Sequence, residues 1–398
     1  MAMGDLKALL AAAHAVQPEV VSLRRRIHAE PELGLELPAT RAKILEALDG
    51  LPLEIALHES CSGVVATLRG AAEGPTLLLR GDMDALPMPE DTGLPFRSQR
   101  EGVMHACGHD SHVAMLAGAA KLLCERRESL RGQVVFLFQP GEEGFAGAKL
   151  MLEEGLPNFD SAFAIHISPL LPCGTIATRP GPILASADFF ECVVRGRGGH
   201  ASMPHDCRDP IPAAAEMIGA LQTFVGREVP ASDPAVLSVS KIRGGTAANV
   251  IPESVELAGT IRALSRQTRE KVHEGLHRVI AGIAAAHGVE AEVDLQLGYP
   301  VTENDAAFEG FARGVGRELL GPAGVFEMPA PMMGAEDFSY ILQRAPGAMV
   351  FLGVRPEGER NPAPCHSNRM LLAEEGMAFG AALHTAVALR FFEERARA

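Results

Sequence analysis

The chain contains no tryptophan and only two tyrosines, Tyr299 and Tyr340, so it lacks the stacking platforms with which proteins hold bases and sugars. Basic residues are also scarce. Against 50 aspartates and glutamates stand 36 lysines and arginines, a net charge of −14 over 398 residues. That deficit excludes the broad positive footprint of nucleic-acid binding. It equally excludes the basic clusters that hold proteins on anionic bilayers. No apolar run reaches the roughly 20 residues of a transmembrane helix. The Ala-rich opening has no basic segment and its first charge is Asp5, so a signal peptide is not expected. Seven cysteines, an odd number scattered through the chain, make no disulfide framework and fit a reducing cytoplasm. Nucleic-acid and membrane partners are therefore not expected.

Apolar runs bounded by turn residues alternate with helical patterns, which predicts an α/β fold. Residues 63–69, 76–80, 133–139 and 161–167 read as strands, and 111–127 and 147–154 as helices. Nearly continuous apolar strands require a sheet covered on both faces. The middle of the chain differs. Strands over 187–195, 236–242, 254–264 and 290–297 enclose helices over 210–223 and 268–287. Their order, β-α-β-β-α-β, is the split ferredoxin-like unit. Alternation then resumes from residue 306, with a strand over 348–354 and a closing helix over 373–395. We expect one discontinuous α/β domain, residues 1–186 and 299–398, carrying an inserted satellite at 187–298.

Polar residues follow the apolar strands closely. The 76–80 run leads into Gly81-Asp82-Met83-Asp84, the 133–139 run into Pro140-Gly141-Glu142-Glu143, and 161–165 into His166. Open α/β sheets bind ligands beyond the carboxyl ends of their strands, so these segments converge on one crevice. The densest cluster is His105-Ala-Cys107-Gly-His109-Asp110-Ser-His112. Cys107 and His109, separated by a glycine, can present a thiolate and an imidazole to one metal region. Glu143, His166 and His366 add three further donors. This set suits Mn²⁺, Zn²⁺, Co²⁺ or Ni²⁺ better than calcium or magnesium. Five donors are too many for one tetrahedral ion, so two divalent ions sharing a bridge are expected. Glu142, beside Glu143, can then take a proton from water whose pKa metal coordination lowers from about 15.7 to about 7. The alternative for the pair is a solvated Pro-Gly turn.

Beyond these spacings, RRRIHAEPELGLEL, LLLRGDMDALPM, MHACGHDSHVAML, FLFQPGEEGFAGAKLML, GRGGHASMPH, AANVIPESVELAGTIRALS and MGAEDFSYIL follow one another along the chain. In that order they resemble the aminoacylase/carboxypeptidase-like metallopeptidases. The resemblance is strongest to the amidohydrolase branch of hippurate hydrolases, N-acyl-amino-acid deacylases and auxin-conjugate hydrolases, and it covers nearly the whole chain. It implies a two-metal catalytic domain with a mixed sheet covered by helices, and a dimerisation role for the inserted domain. It places the metal ligands on Cys107, His109, Glu143, His166 and His366 and the catalytic base on Glu142. Asp84 matches an acid that orients a nearby ligand or base. Within the satellite, His200 matches a histidine that reaches the partner protomer's site and stabilises the oxyanion. Asn249 matches a companion position near substrate, and Arg262, more loosely, a clamp for a substrate carboxylate. After His366 the chain departs from the pattern: Ser367-Asn368-Arg369-Met370 stand where relatives carry proline and an aromatic. That loop is expected to alter acyl-side specificity.

The expected reaction is amide hydrolysis of a small N-acyl amino acid, hippurate-like or N-acetylated, by a homodimer or dimer-based oligomer. Glu142 deprotonates a water bridging the two ions and later protonates the leaving amine. Rival readings are a dipeptidase or aminopeptidase of the same family, a Cys107 nucleophile with His109 as base, and a non-catalytic metal-dependent binder. Arg24-Arg25-Arg26 with His28 is expected to be a solvated face plus a structural histidine, and His273 and His277 surface residues. Cys61, Cys124, Cys173, Cys192 and Cys207 read as small apolar residues, and Met332-Met333 as pocket lining or core.

Overall fold

The computed structural model describes residues 6–396. Residues 1–5, with Asp5, and 397–398 form the outer ends of the expected catalytic domain and lie outside the described residues. The chain divides into two compact units: Met1–Ile183 with Glu303–Ala330 and Tyr340–Ala398, and Leu184–Thr302 with Pro331–Ser339. The short segment Pro331–Ser339, placed by the sequence reading in the catalytic domain, thus groups with the second unit.

The first unit is built on an eight-stranded mixed sheet. Its order is Glu54–Leu57, Val64–Arg69, Arg131–Gln139, Ala72–Asp82, Ser161–Pro172, Gly347–Arg355, Ile176–Thr178, Val325–Glu327. Ala72–Asp82 runs parallel to both Arg131–Gln139 and Ser161–Pro172, and Gly347–Arg355 runs parallel to Ser161–Pro172. These central strands are buried along most of their length, which is why their sequences are nearly unbroken apolar runs. The helix Leu6–Ala29 buries Leu9, Ala13, Val16, Val20, Leu23 and Ile27, a stripe at steps of three and four. His109–Cys124 and Gly376–Arg395 are buried nearly all round. None of the described helices is long and apolar enough to cross a membrane.

His384, inside Gly376–Arg395, lies edge-on to Phe163, and its Nδ1 makes no hydrogen bond. Burial pushes its imidazole pKa down to about 3. The unfolded chain takes up this proton near the ordinary value of about 6.5, so the histidine costs stability only as pH falls from there towards 3. His384→Leu is expected to recover about 3 kcal/mol of the stability lost between pH 6.5 and 4. Urea midpoints at the two pH values check this, and an unchanged acid loss would assign the sensitivity elsewhere.

The second unit carries a four-stranded antiparallel sheet in the order Ala235–Gly244, Ser254–Ala263, Asp188–Arg195, Glu290–Leu297. With helices Pro210–Glu228 and Arg266–His287 this is the split β-α-β-β-α-β arrangement expected from the segment order. Phe190, Cys192, Met217, Leu221, Leu257 and Leu276 fill its core. Asp209 caps one helix by accepting the Ile211 N–H, with Pro210 at the first position, and Ser265 caps the other by accepting from Thr268.

Two expected surface features are ion-pair sites instead. Arg24 is only 3% exposed; its Nε donates to Asp110 at 2.9 Å and its Nη1 to Glu374 at 2.9 Å. His273 donates to the fully buried Asp188 at 2.7 Å, and Arg269 grips the same carboxylate. In both cases the acid lies more than 80 residues away in sequence, so no local spacing reveals it. His28 is the structural histidine expected, bonded to Asp110 at 2.7 Å, and His277 is exposed.

Candidate active site

The turn after Ala72–Asp82 supplies Asp84, and the turn after Arg131–Gln139 supplies Glu142 and Glu143. The strand carrying His166 runs on to Pro172, so this imidazole projects from within a strand and not from its end. Cys107 and His109 flank Gly108, which has φ +84° and caps the helix His109–Cys124. A Cβ at Gly108 would come within 2.6 Å of the Ile167 side chain, so glycine is required there on both counts. His366, in the loop beyond Gly347–Arg355, has φ +66° and donates its N–H to the Ala106 carbonyl at 2.7 Å. A non-glycine residue held in this region stores strain of the kind found at functional sites.

These segments bring seven side chains together. Cys107 Sγ lies 3.3 Å from His166 Nε2, and His366 Nε2 lies 3.1 Å from Glu143 Oε1. Donor atoms of Cys107, His109 and His166 all fall within 4.8 Å of one another, and so do those of Cys107, Glu143 and His366. Cys107 is therefore common to two triplets. A third close group is His109, Glu142 and Glu143, with Glu142 Oε2 4.0 Å from His109 Nε2.

The outer hydrogen bonds fix how each donor faces inward. His109 Nδ1–H donates to the Asp84 carbonyl at 2.9 Å, leaving Nε2 buried and without a hydrogen bond. His166 Nδ1–H donates to the Ile167 carbonyl at 2.7 Å, leaving Nε2 to face the thiol. Ligating histidines are held by such bonds through their other nitrogen. The Asp84 carboxylate accepts the Glu142 N–H at 3.0 Å and the Glu143 N–H at 2.9 Å, one on each oxygen. A buried chain lies behind. Arg80 donates to Asp82 at 2.5 Å, Asp82 accepts from His112 Nδ1 at 2.5 Å, and His112 Nε2 accepts the Ile167 N–H at 2.9 Å.

The electrostatics fit a cation-binding cluster. Burial, reinforced by His112, holds His166 well below the usual histidine range, so its Nε2 lone pair is available near neutral pH. Burial also works to lower His109, but Asp82, Asp84 and Glu143 outweigh it and raise that imidazole well above its ordinary value. Burial would raise Glu143, yet the His366 hydrogen bond and the charge of His109 draw it down. On the buried side of the cluster the carboxylates of Asp82 and Asp84 face the guanidinium of Arg80 and the imidazole of His109, while His366 at the rim is exposed. Imidazoles, a thiol and carboxylates, with one orphaned imidazole nitrogen among them, suit divalent transition ions.

His200, Asn249 and Arg262 belong to the second unit. His200 pairs with Val250 across a two-residue ladder, and the Asn249 carbonyl accepts the Ala201 N–H at 3.0 Å, so the first two stand together. His200 is exposed, and its Nδ1 accepts from Ser202 N at 3.1 Å. Arg262 is half-buried in strand Ser254–Ala263. Sequence reasoning assigned no role to Asp82, His112 or Arg80. The available signals were the polar Asp82 closing an apolar strand just before Asp84 and the three-residue step from His109 to His112 on one helix face. The departing loop tucks Met370, 2% exposed, against Met104 and Ala106, and the Asn368 carbonyl accepts the Asp91 N–H at 2.8 Å.

Comparison with known proteins places this arrangement. The model of peptidase family M20/M25/M40 matches residues 78–390. The chain is 41% identical over 392 residues to the IAA-amino acid hydrolase ILR1-like 2 of Arabidopsis thaliana, covering 96% of this chain and 88% of the relative. It is 41% identical over 341 residues to the N-acetylcysteine deacetylase of Bacillus subtilis, covering 85% and 89%. With the thermostable carboxypeptidase 1 of Saccharolobus solfataricus it shares 38% over 381 residues, covering 94% and 96%. Among solved structures, the Bacillus subtilis YXEP protein, described as a dinuclear metal binding peptidase from the M20 family, superposes with a TM-score of 0.83 at 35% identity, covering 96% of this chain and 99% of that one. The chain belongs to peptidase family M20/M25/M40, as a hydrolase of its amidohydrolase and peptidase members.

Proposed function

We propose that this protein is a metal-dependent amidohydrolase that cleaves the amide bond of N-acyl amino acids, hippurate-like or N-acetylated. The observation that carries it is Glu142, a buried carboxylate 4.0 Å from His109 Nε2 at the edge of two metal-donor triplets. Cys107, His109, Glu143, His166 and His366 would hold two divalent ions, with Cys107 shared between them. Mn²⁺, Zn²⁺, Co²⁺ and Ni²⁺ all suit these donors. When bound, the ions polarise the acyl carbonyl and acidify water. Glu142 takes the proton of the attacking water and returns it to the leaving amine, so one residue serves as base and acid. Asp84 holds the amides of Glu142 and Glu143 and so fixes the distance between proton carrier and metal donor.

His200, from a second copy of the chain, would steady the oxyanion, with Asn249 beside it and Arg262 directed to the substrate carboxylate. Support for a homodimer comes from the second unit, whose edge strand Ala235–Gly244 leaves Val236 and Ile242 40% and 58% exposed. A cytoplasmic setting accords with the seven cysteines, all free.

The relatives named as deacetylase, IAA-amino acid hydrolase and carboxypeptidase share one bond type: an amide whose amine side is an amino acid. The carboxypeptidase relatives favour a second reading, in which the acyl side is a peptide. A metal-loaded protein offered acetyl, benzoyl and indoleacetyl amino acids beside matched dipeptides separates the two. The N-acyl compounds are expected to give a kcat/KM higher by roughly tenfold or more, about 1.4 kcal/mol of transition-state preference. The opposite ratio would make it a peptidase.

A further inference from the structure

Cys365 has no part in the hydrolytic scheme, yet it stands beside the thiol common to both donor triplets. The bond from His366 N–H to the Ala106 carbonyl, 2.7 Å long, pins residues 365–366 against residues 106–107. The left-handed backbone at His366 then carries its imidazole to Glu143. Cys365 Sγ lies 3.9 Å from the Cys107 carbonyl oxygen, which sets the two cysteines side by side. Both cysteines are free, Cys107 buried and Cys365 partly exposed.

We propose that Cys107 and Cys365 form a reversible disulfide that takes the Cys107 thiolate away from the metal donors. Two cysteines facing each other on segments pinned by backbone can be brought to the bonding distance of about 2.05 Å by turning their side chains. The partly exposed Cys365 is the point of entry. Its thiolate attacks a small disulfide such as oxidised glutathione, breaking that S–S bond, forming a mixed disulfide and expelling one glutathione thiol. Cys107 sulfur then attacks the Cys365 sulfur and expels the second. Two electrons and two protons pass from the cysteines to the oxidant, which leaves as two thiols. A disulfide sulfur carries no negative charge and is a poor ligand, so both triplets lose their common member in one event. Bound ions in turn occupy the Cys107 thiolate, so metal binding and oxidation exclude each other.

The inference rests on the assignment of Cys107 as a metal ligand. Full-length protein, stripped of metal with a chelator and incubated with oxidised glutathione, is digested without reduction. A peptide pair joined through Cys107 and Cys365 is expected. Zn²⁺ affinity, read by calorimetry, is expected to fall by roughly tenfold or more and to return with dithiothreitol. Preloading with Zn²⁺ is expected to slow the linkage by a similar factor. Cys365→Ser is expected to bind Zn²⁺ normally before and after the oxidant. Absence of the linked peptide, an equal loss of Zn²⁺ affinity in Cys365→Ser, or equal linkage rates with and without Zn²⁺ would overturn the proposal. A linked peptide in a parent protein that never binds Zn²⁺ would instead overturn the ligand assignment.

Discussion

Replacing Glu142 with glutamine is expected to lower kcat by roughly 10²–10⁴-fold while both ions stay bound. Glutamine keeps the size of the side chain and leaves the Glu142 N–H on Asp84 Oδ1, so the loop stays in place. What disappears is the capacity to accept a proton and hand it back. The donors assigned to the ions do not include this side chain, so metal stoichiometry measured by elemental analysis should match the parent protein. KM should change much less than kcat, because the lost interaction exists chiefly in the transition state. Retained turnover would remove Glu142 from the reaction. Loss of metal together with activity would make it a ligand.

Chelation is expected to abolish turnover, with recovery on adding Mn²⁺ or Zn²⁺. Cys107→Ala is expected to weaken binding of both ions and to leave activity below detection, because Cys107 belongs both to the triplet with His109 and His166 and to the triplet with Glu143 and His366. The stripped protein should also unfold at lower temperature, since an ion that binds only the folded state stabilises it by about 2.7 kcal/mol at a hundred times its Kd. A thiol-nucleophile enzyme gives another pattern: it too would die with Cys107→Ala but would survive chelation. Activity after thorough chelation would thus discard the metal scheme in favour of Cys107 attack.

The central strands were legible because burial on both faces leaves an apolar run; their ends were less so, since the strand through His166 continues to Pro172. The satellite was legible through the order of its elements. The strands Ile176–Thr178 and Val325–Glu327 were not, because three residues give no periodicity and their pairing is set by distant neighbours. Arg24 and His273 were misplaced for the same reason: a charged residue looks solvated until its buried acid is known. At the site, the donors' residue types could be read off the chain. The outer chain of Arg80, Asp82 and His112 could not, since its bonds join a strand, a helix and the Ile167 backbone amide.

The double grip of Asp84 has a practical consequence for anyone wishing to redesign this protein. The backbone amides of two neighbouring glutamates hang from one carboxylate, so neither can be moved without dragging the other. Asparagine at position 84 would offer only one acceptor oxygen to two amides. Redesign is therefore expected to succeed only where Asp84 is left in place.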